Sequence, residues 1–179
     1  MTFVALLRAI NLGSYNPLSM GALRAFIADL SFTDARTLHQ SGNVVFRGEA
    51  QSASDLEQLL EREAKARLGL DTDFFVRSPR DWKTLMSRNP FVEEATRDPR
   101  RLLVLFLKNA PDTKSVAALR SAVKGPEIVA VAEKQAYIFY PEGIGRSRLT
   151  TAFIETKLAT RGTGRNWNTV LKLAAFAES

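Results

Sequence analysis

The residues of this chain that could do chemistry fall into four short runs. "TGRNWNTVLKL" (163–173) places Arg165, Asn166 and Asn168 at what reads as the start of a helix. Helix N-termini favour negative charge, so a cation there calls for a compensating anion. "GIGRSRLT" (143–150) is a glycine-punctuated loop whose backbone amides could cradle a phosphate, with Arg146 and Ser147 inside it. It lacks the lysine of a P-loop, and Arg148 stands where the dinucleotide fingerprint needs glycine. The alternative reading is a turn in which Ser147 caps the next helix. "LLRAINLG" (6–13) and "QSGNVVF" (40–46) add Arg8, Asn11, Ser41 and Asn43. Gly and Asn tolerate positive φ, so "SGN" also reads as a hairpin turn. Arginine, amide and hydroxyl side chains are donors suited to holding an anion; none of them is an obvious base.

Composition narrows the chemistry further. The 179 residues include no cysteine and one histidine, His39. Thiolate nucleophiles, disulfides and cysteine-bound zinc or iron–sulfur sites are therefore excluded, and neither a cofactor nor a metal is expected. Residues 1–78 carry 8 Lys/Arg against 9 Asp/Glu, whereas residues 79–179 carry 17 against 10. Within 143–172 six basic residues face only Glu155. That asymmetry predicts an anionic partner at the C-terminal end, against the plainer reading of a solvated basic surface. The apolar opening run is interrupted by Arg8, no small-residue cleavage site follows, and no apolar run is long enough to span a bilayer. A cytoplasmic location with no membrane contact is the expectation.

The elements that must position these residues can be read from periodicity. "FVALLR" is a buried strand; "MGALRAFIADL" is a helix with Leu23, Phe26, Ile27 and Leu30 on one face and Ser19 as its cap. "ARTL" and "NVVFR" form a hairpin around "HQSG", "SASDLEQLLEREAKARLGL" is an amphipathic helix stopped at Gly69, and "TDFFVR" is a strand. The order β-α-β-β-α-β is that of a ferredoxin-like split βαβ unit. The right-handed crossover rule then brings Arg8, Asn11, Ser41 and Asn43 to one end of the sheet. Beyond it "SPRDWKTLMSRNP" is helical, with Ser78 as cap, and "FVEEATRDPR" reads as polar loop. "RLLVLFLK" is the most apolar strand and should be central; "DTKSVAALRSAV" is a helix; "IVAVA" and "AYIFY" form a hairpin. Helices over 148–160 and 166–177 follow, with Trp167, Val170, Leu171, Ala174 and Ala175 as the stripe of the last. No fourth strand is evident in this half.

The fold class expected is α+β, two ferredoxin-like halves, the second with extra C-terminal helices in place of its final strand. The division expected is 1–78, a helical connector over 79–100, and 101–179.

The four runs, in their order and at their separations, resemble the bacterial domain-of-unknown-function 1697 family. Ala9 replaces a glycine of the family's Arg-Gly-Ile-Asn start, and Arg148 stands where lysine is common. The resemblance implies tandem ferredoxin-like halves and supplies no reaction. It places Arg8, Asn11, Ser41, Gly42, Asn43, Arg146, Ser147, Arg165, Asn166 and Asn168 inside family motifs. From the residues, the expected function is binding of a phosphate-bearing small molecule. The alternatives are an enzyme acting on an anionic substrate, with Asp, Glu, Lys or Tyr moving the proton, and a nucleic-acid-binding protein. The last is disfavoured because "GNVVFRGE" lacks the aromatics of RNA-recognition strands.

Overall fold

A computed structural model describes residues 1–8, 18–39 and 41–179 of the chain. The chain divides into two compact units, residues 1–84 with 173–179, and residues 85–172.

In the first unit the order is β1 (Thr2–Leu7), α1 (Met20–Asp29), β2 (Thr33–Thr37), β3 (Asn43–Arg47), α2 (Ala53–Leu68) and β4 (Phe74–Arg77), with α3 (Pro79–Ser87) leaving it. The strands form one antiparallel sheet in the order β2-β3-β1-β4. Helix starts follow the chemistry read from the sequence. Ser19 Oγ accepts from Ala22 N and Ser52 Oγ from Asp55 N, and Ser78 and Asp81 form a reciprocal box. Strand alternation sends Phe3, Ala5, Leu7, Val44, Phe46, Phe74 and Val76 toward α1 and α2, where Leu23, Ile27, Leu56 and Leu60 complete the core.

The second half comprises α4 (Val92–Arg97), β5 (Leu102–Leu107), α5 (Thr113–Ala122), β6 (Ile128–Ala132), β7 (Gln135–Phe139), α6 (Thr151–Leu158), β8 (Gly162–Asn166) and α7 (Trp167–Glu178). Its sheet order is β6-β7-β5-β8, with β5 in the interior as its composition requires. Leu103, Leu105, Leu107, Ala136 and Ile138 face Leu119, Ile154 and Leu158.

Three expectations are corrected. "FVEEATR" is not loop: Val92–Arg97 is a helical turn with Ala95 buried. The helix expected over 148–160 is 151–158, and Thr150, not Ser147, caps it, accepting from Phe153 N. The final strand of the second half is present. It is Gly162–Asn166, so Arg165 lies in a strand and the last helix starts after it. "GTGRN" shows no apolar alternation because it needs small residues. A Cβ on Gly162 would stand 3.0 Å from Phe106 O, and one on Gly164 would stand 3.0 Å from Leu103 Cδ1.

Across the three strands β3-β1-β4 and β7-β5-β8 the two halves repeat the same pairing where the sequence shows no repeat. Val4 pairs with Val45 and Arg77, and Val104 pairs with Tyr137 and Arg165. Two residues on, Leu6 faces the buried Asn43 and Phe106 the buried Gln135. At both outer strands a helix carboxylate takes the first outward N–H: Glu61 Oε1 accepts from Phe74 N at 2.9 Å and Glu155 Oε1 from Gly162 N at 2.7 Å. The strand's own arginine takes the next outward carbonyl, Arg77 Nη1 donating to Val76 O and Arg165 Nη1 to Gly164 O, both at 2.8 Å. Sheet edges left bare invite pairing with other chains, and these two are covered by charged side chains.

Candidate functional site

The cleft that stands out lies in the second half, where the repeat breaks. In the first half the α1–β2 turn (30–32) and the β3–α2 loop (48–52) are short. Phe32 closes the space between them: it lies 4.8 Å from the Phe46 ring, and a Cβ at Gly48 would stand 2.8 Å from Phe32 Cδ1. The corresponding connections of the second half, 123–127 and 140–150, are longer and leave a cleft of about 400 Å³. Its walls carry Lys124, Arg146 and Arg148, the carboxylates Glu127 and Glu142, and the apolar Val123, Leu149 and Phe153.

Several contacts hold this lining in shape. Ser147 Oγ–H donates to Glu127 Oε1, and Ser147 Oγ in turn accepts from Leu149 N at 3.0 Å. Glu127 folds over Gly125, where a Cβ would overlap its Oε2. Tyr140 donates to Leu149 O at 2.9 Å; burial, with the Glu127 charge adding to it, pushes the phenol up to about 12. Lys124 Nζ rests on Ser121 O, while among the described residues no carboxylate pairs with Arg146 or Arg148, whose side chains are exposed. The arrangement is two open guanidiniums and an ammonium, a donor set suited to phosphate oxygens, beside a hydroxyl whose own proton is held by Glu127.

The residues singled out from the sequence separate into groups. Arg146 and Ser147 line the cleft, together with Arg148 from the same motif. Arg165, Asn166 and Asn168 do not. Arg165 Nη1 donates to Thr163 Oγ1 and Gly164 O, both at 2.8 Å, and burial pulls its pKa down to about 10. Asn166 Oδ1 accepts from Thr169 N at 3.0 Å and so caps α7, a role open to any asparagine in that place. In the first unit Arg8 sits just past β1, its guanidinium 3.7 Å from Asp73 Oδ2. Gly42 O accepts from Leu7 N, so Arg8 and the 41–43 turn do reach one end of the sheet. Asn43 is fully buried and Nδ2 donates to Leu38 O at 3.1 Å and Ser41 Oγ at 2.7 Å, which is the work of a hairpin brace. Asn11 lies outside the described residues.

Sequence reading passed over Lys124, Glu127 and Glu142. The signal available was "KGPE" (124–127), a Gly-Pro break flanked by opposite charges, together with a β7–α6 connection longer than its first-half counterpart.

The fold and its covered edges define a class, an α+β protein of two ferredoxin-like halves. Within that class the chain matches, over residues 1–137, the model of the family described as protein of unknown function (DUF1697), and it belongs to that family. The "GIGRSRLT" and "TGRNWNTVLKL" runs lie beyond the matched residues. Among solved structures the chain is similar to the conserved bacterial protein SP0830 from Streptococcus pneumoniae, at 21% identity over 98% of each chain, with a TM-score of 0.77. At that identity the likeness speaks for the fold. No curated protein matches the chain.

Proposed function

We propose that this protein binds a phosphate-bearing small molecule in the cleft of its second half. The observation that carries the reading is the broken repeat. One framework is built twice, its opening is packed shut by Phe32 in the first half, and in the second it is held open and lined with cations. A volume of about 400 Å³ is within the range of roughly 300–1,000 Å³ for small-molecule sites. Ligands of this kind are solutes of the bacterial cytoplasm, and we take the chain to act there.

Ligand that binds only the native state raises its stability by mass action, about 2.7 kcal/mol at a hundredfold excess over Kd. The test is therefore a thermal-shift screen of nucleotides, sugar phosphates and short oligonucleotides on the full chain. A responding phosphate compound should raise Tm by several degrees, and the rise should vanish in Arg146→Ala with Arg148→Ala while the unliganded Tm stays unchanged. A flat screen, or a rise that survives the double change, overturns the reading. A response to oligonucleotides alone, falling steeply with salt, would favour nucleic acid instead.

The Ser147–Glu127 hydrogen bond favours a second reading, an enzyme on an anionic substrate. A hydroxyl held against a carboxylate is arranged as a nucleophile beside a base. On that reading Ser147→Ala keeps ligand binding and removes turnover.

A further inference from the structure

We infer that the ligand of this cleft is a sugar monophosphate, free or as the ribose phosphate of a mononucleotide, rather than a polyphosphate. The inference rests on the reading of the cleft as a phosphate site and concerns what else the ligand must carry.

The lining is not uniformly basic. Lys124, Arg146 and Arg148 share it with Glu127 and Glu142, which leaves one positive charge in excess. A site that takes a di- or triphosphate without a metal ion gathers cations and excludes carboxylates, because each added phosphate raises the charge to be matched. Two ionised carboxylates are acceptors only. Neither can accept from a deprotonated phosphate oxygen; Glu142, and the lone pairs of Glu127 beyond its Ser147 bond, suit a ligand that offers donors. Hydroxyl groups meet that need, and a sugar presents several of them a few ångströms from its phosphate.

The carboxylates are also not spent on the cleft's own cations. Glu127 Oε1 is occupied by Ser147, its Oε2 lies over the bare Cα of Gly125, and no carboxylate pairs with Arg146 or Arg148 among the described residues. Glu142 is exposed on the rim. No ion pair joins the opposite charges of this cavity among the described residues, so the arginines are left for an anionic group of the ligand and the carboxylates for its hydroxyls. Phe153 and Leu149 add an apolar wall against which a sugar ring face or a base can lie.

Calorimetric titration of the full chain at constant ionic strength tests this with ribose 5-phosphate, adenosine monophosphate, inorganic phosphate and pyrophosphate as probes. The expected result is that ribose 5-phosphate, the monophosphate nucleotide or both bind at least about tenfold tighter than pyrophosphate. Glu142→Gln, a substitution at an exposed side chain, should narrow that gap by weakening the sugar phosphates and strengthening pyrophosphate. Binding by the nucleotide alone assigns the ribose phosphate of a mononucleotide; binding by both assigns the sugar phosphate itself. Pyrophosphate binding as tightly as either, and losing its heat in Arg146→Ala, overturns the sugar inference and leaves the phosphate site standing. No heat from any probe, or heat that persists in Arg146→Ala with Arg148→Ala, brings down the phosphate reading along with it.

Discussion

Arg165 carries the clearest prediction at the level of single side chains. As the opening of a helix, its place would have been unfavourable and would have asked for an anion. As the fourth residue of β8 it has another task. It reaches back over the strand to Thr163 Oγ1 and Gly164 O, as Arg77 does to Val76 O in the other half. Burial lowers its pKa to about 10, which still leaves it charged at neutral pH, so the desolvation cost stands against the hydrogen bonds gained. Hydrogen bonds to a charged donor contribute about 1.5–3 kcal/mol, and an outward carbonyl left bare adds to the loss. Arg165→Ala should therefore lower the melting temperature in ligand-free buffer, by roughly 2–4 °C for each kcal/mol lost in a chain of this length. An unchanged or raised melting temperature would return Arg165 to the role of a ligand-binding residue.

Among the secondary-structure elements, the outer strands β4 and β8 show how the fold protects itself. Hydrogen bonds with β5 use the N–H groups of alternate residues, which turns the Gly162 amide outward, and Glu155 from α6 closes it. Glu155→Ala should leave that amide exposed to solvent. Its hydrogen exchange should speed up by at least about tenfold, with little change at Thr163, if the bond contributes the 1.5–3 kcal/mol of a charged acceptor. Equal protection in the variant and the parent would mean that something other than the carboxylate covers the edge. The correspondence between Glu61 and Glu155 was not legible in the sequence. The helices differ in length and composition, and the two glutamates are matched only by the strand N–H that each one meets.

For the molecule as a whole, the first unit is discontinuous: residues 173–179 return to complete it. The Arg36 guanidinium lies 4.6 Å from the centre of the Phe176 ring and its Nη1 donates to Ser179 Oγ at 2.7 Å. A cation over an aromatic face contributes about 0.5–2 kcal/mol, depending on how far it is desolvated. Arg36→Ala should lower the stability of the full chain by about 1–2 kcal/mol in urea denaturation, and Phe176→Ala should do the same, with a double change costing less than the sum. Strict additivity would show that the two side chains do not act together. The first unit is thus not the product of the first half of the sequence alone, and a boundary drawn at residue 78 leaves out the returning segment.

Local chemistry was enough to read most of the elements. The helix caps at Ser19 and Ser78 and the apolar run of β5 are properties of a few adjacent residues, and each appears in the fold where the sequence puts it. The approach of Arg8 to the 41–43 turn followed from element order and crossover handedness. Strand β8 was hidden because its glycines answer to Leu103, Leu105 and the Phe106 carbonyl, partners some sixty residues away, and not to any periodicity of its own. The cleft was half visible: Arg146 and Ser147 stood in a motif, but Lys124, Glu127 and Glu142 join them from separate loops. What holds that cleft open is the difference between two pairs of loops in a repeated framework. That difference exists only when the two halves are folded, because residue identity sets a loop's length and charge, while what it faces across the sheet end depends on packing.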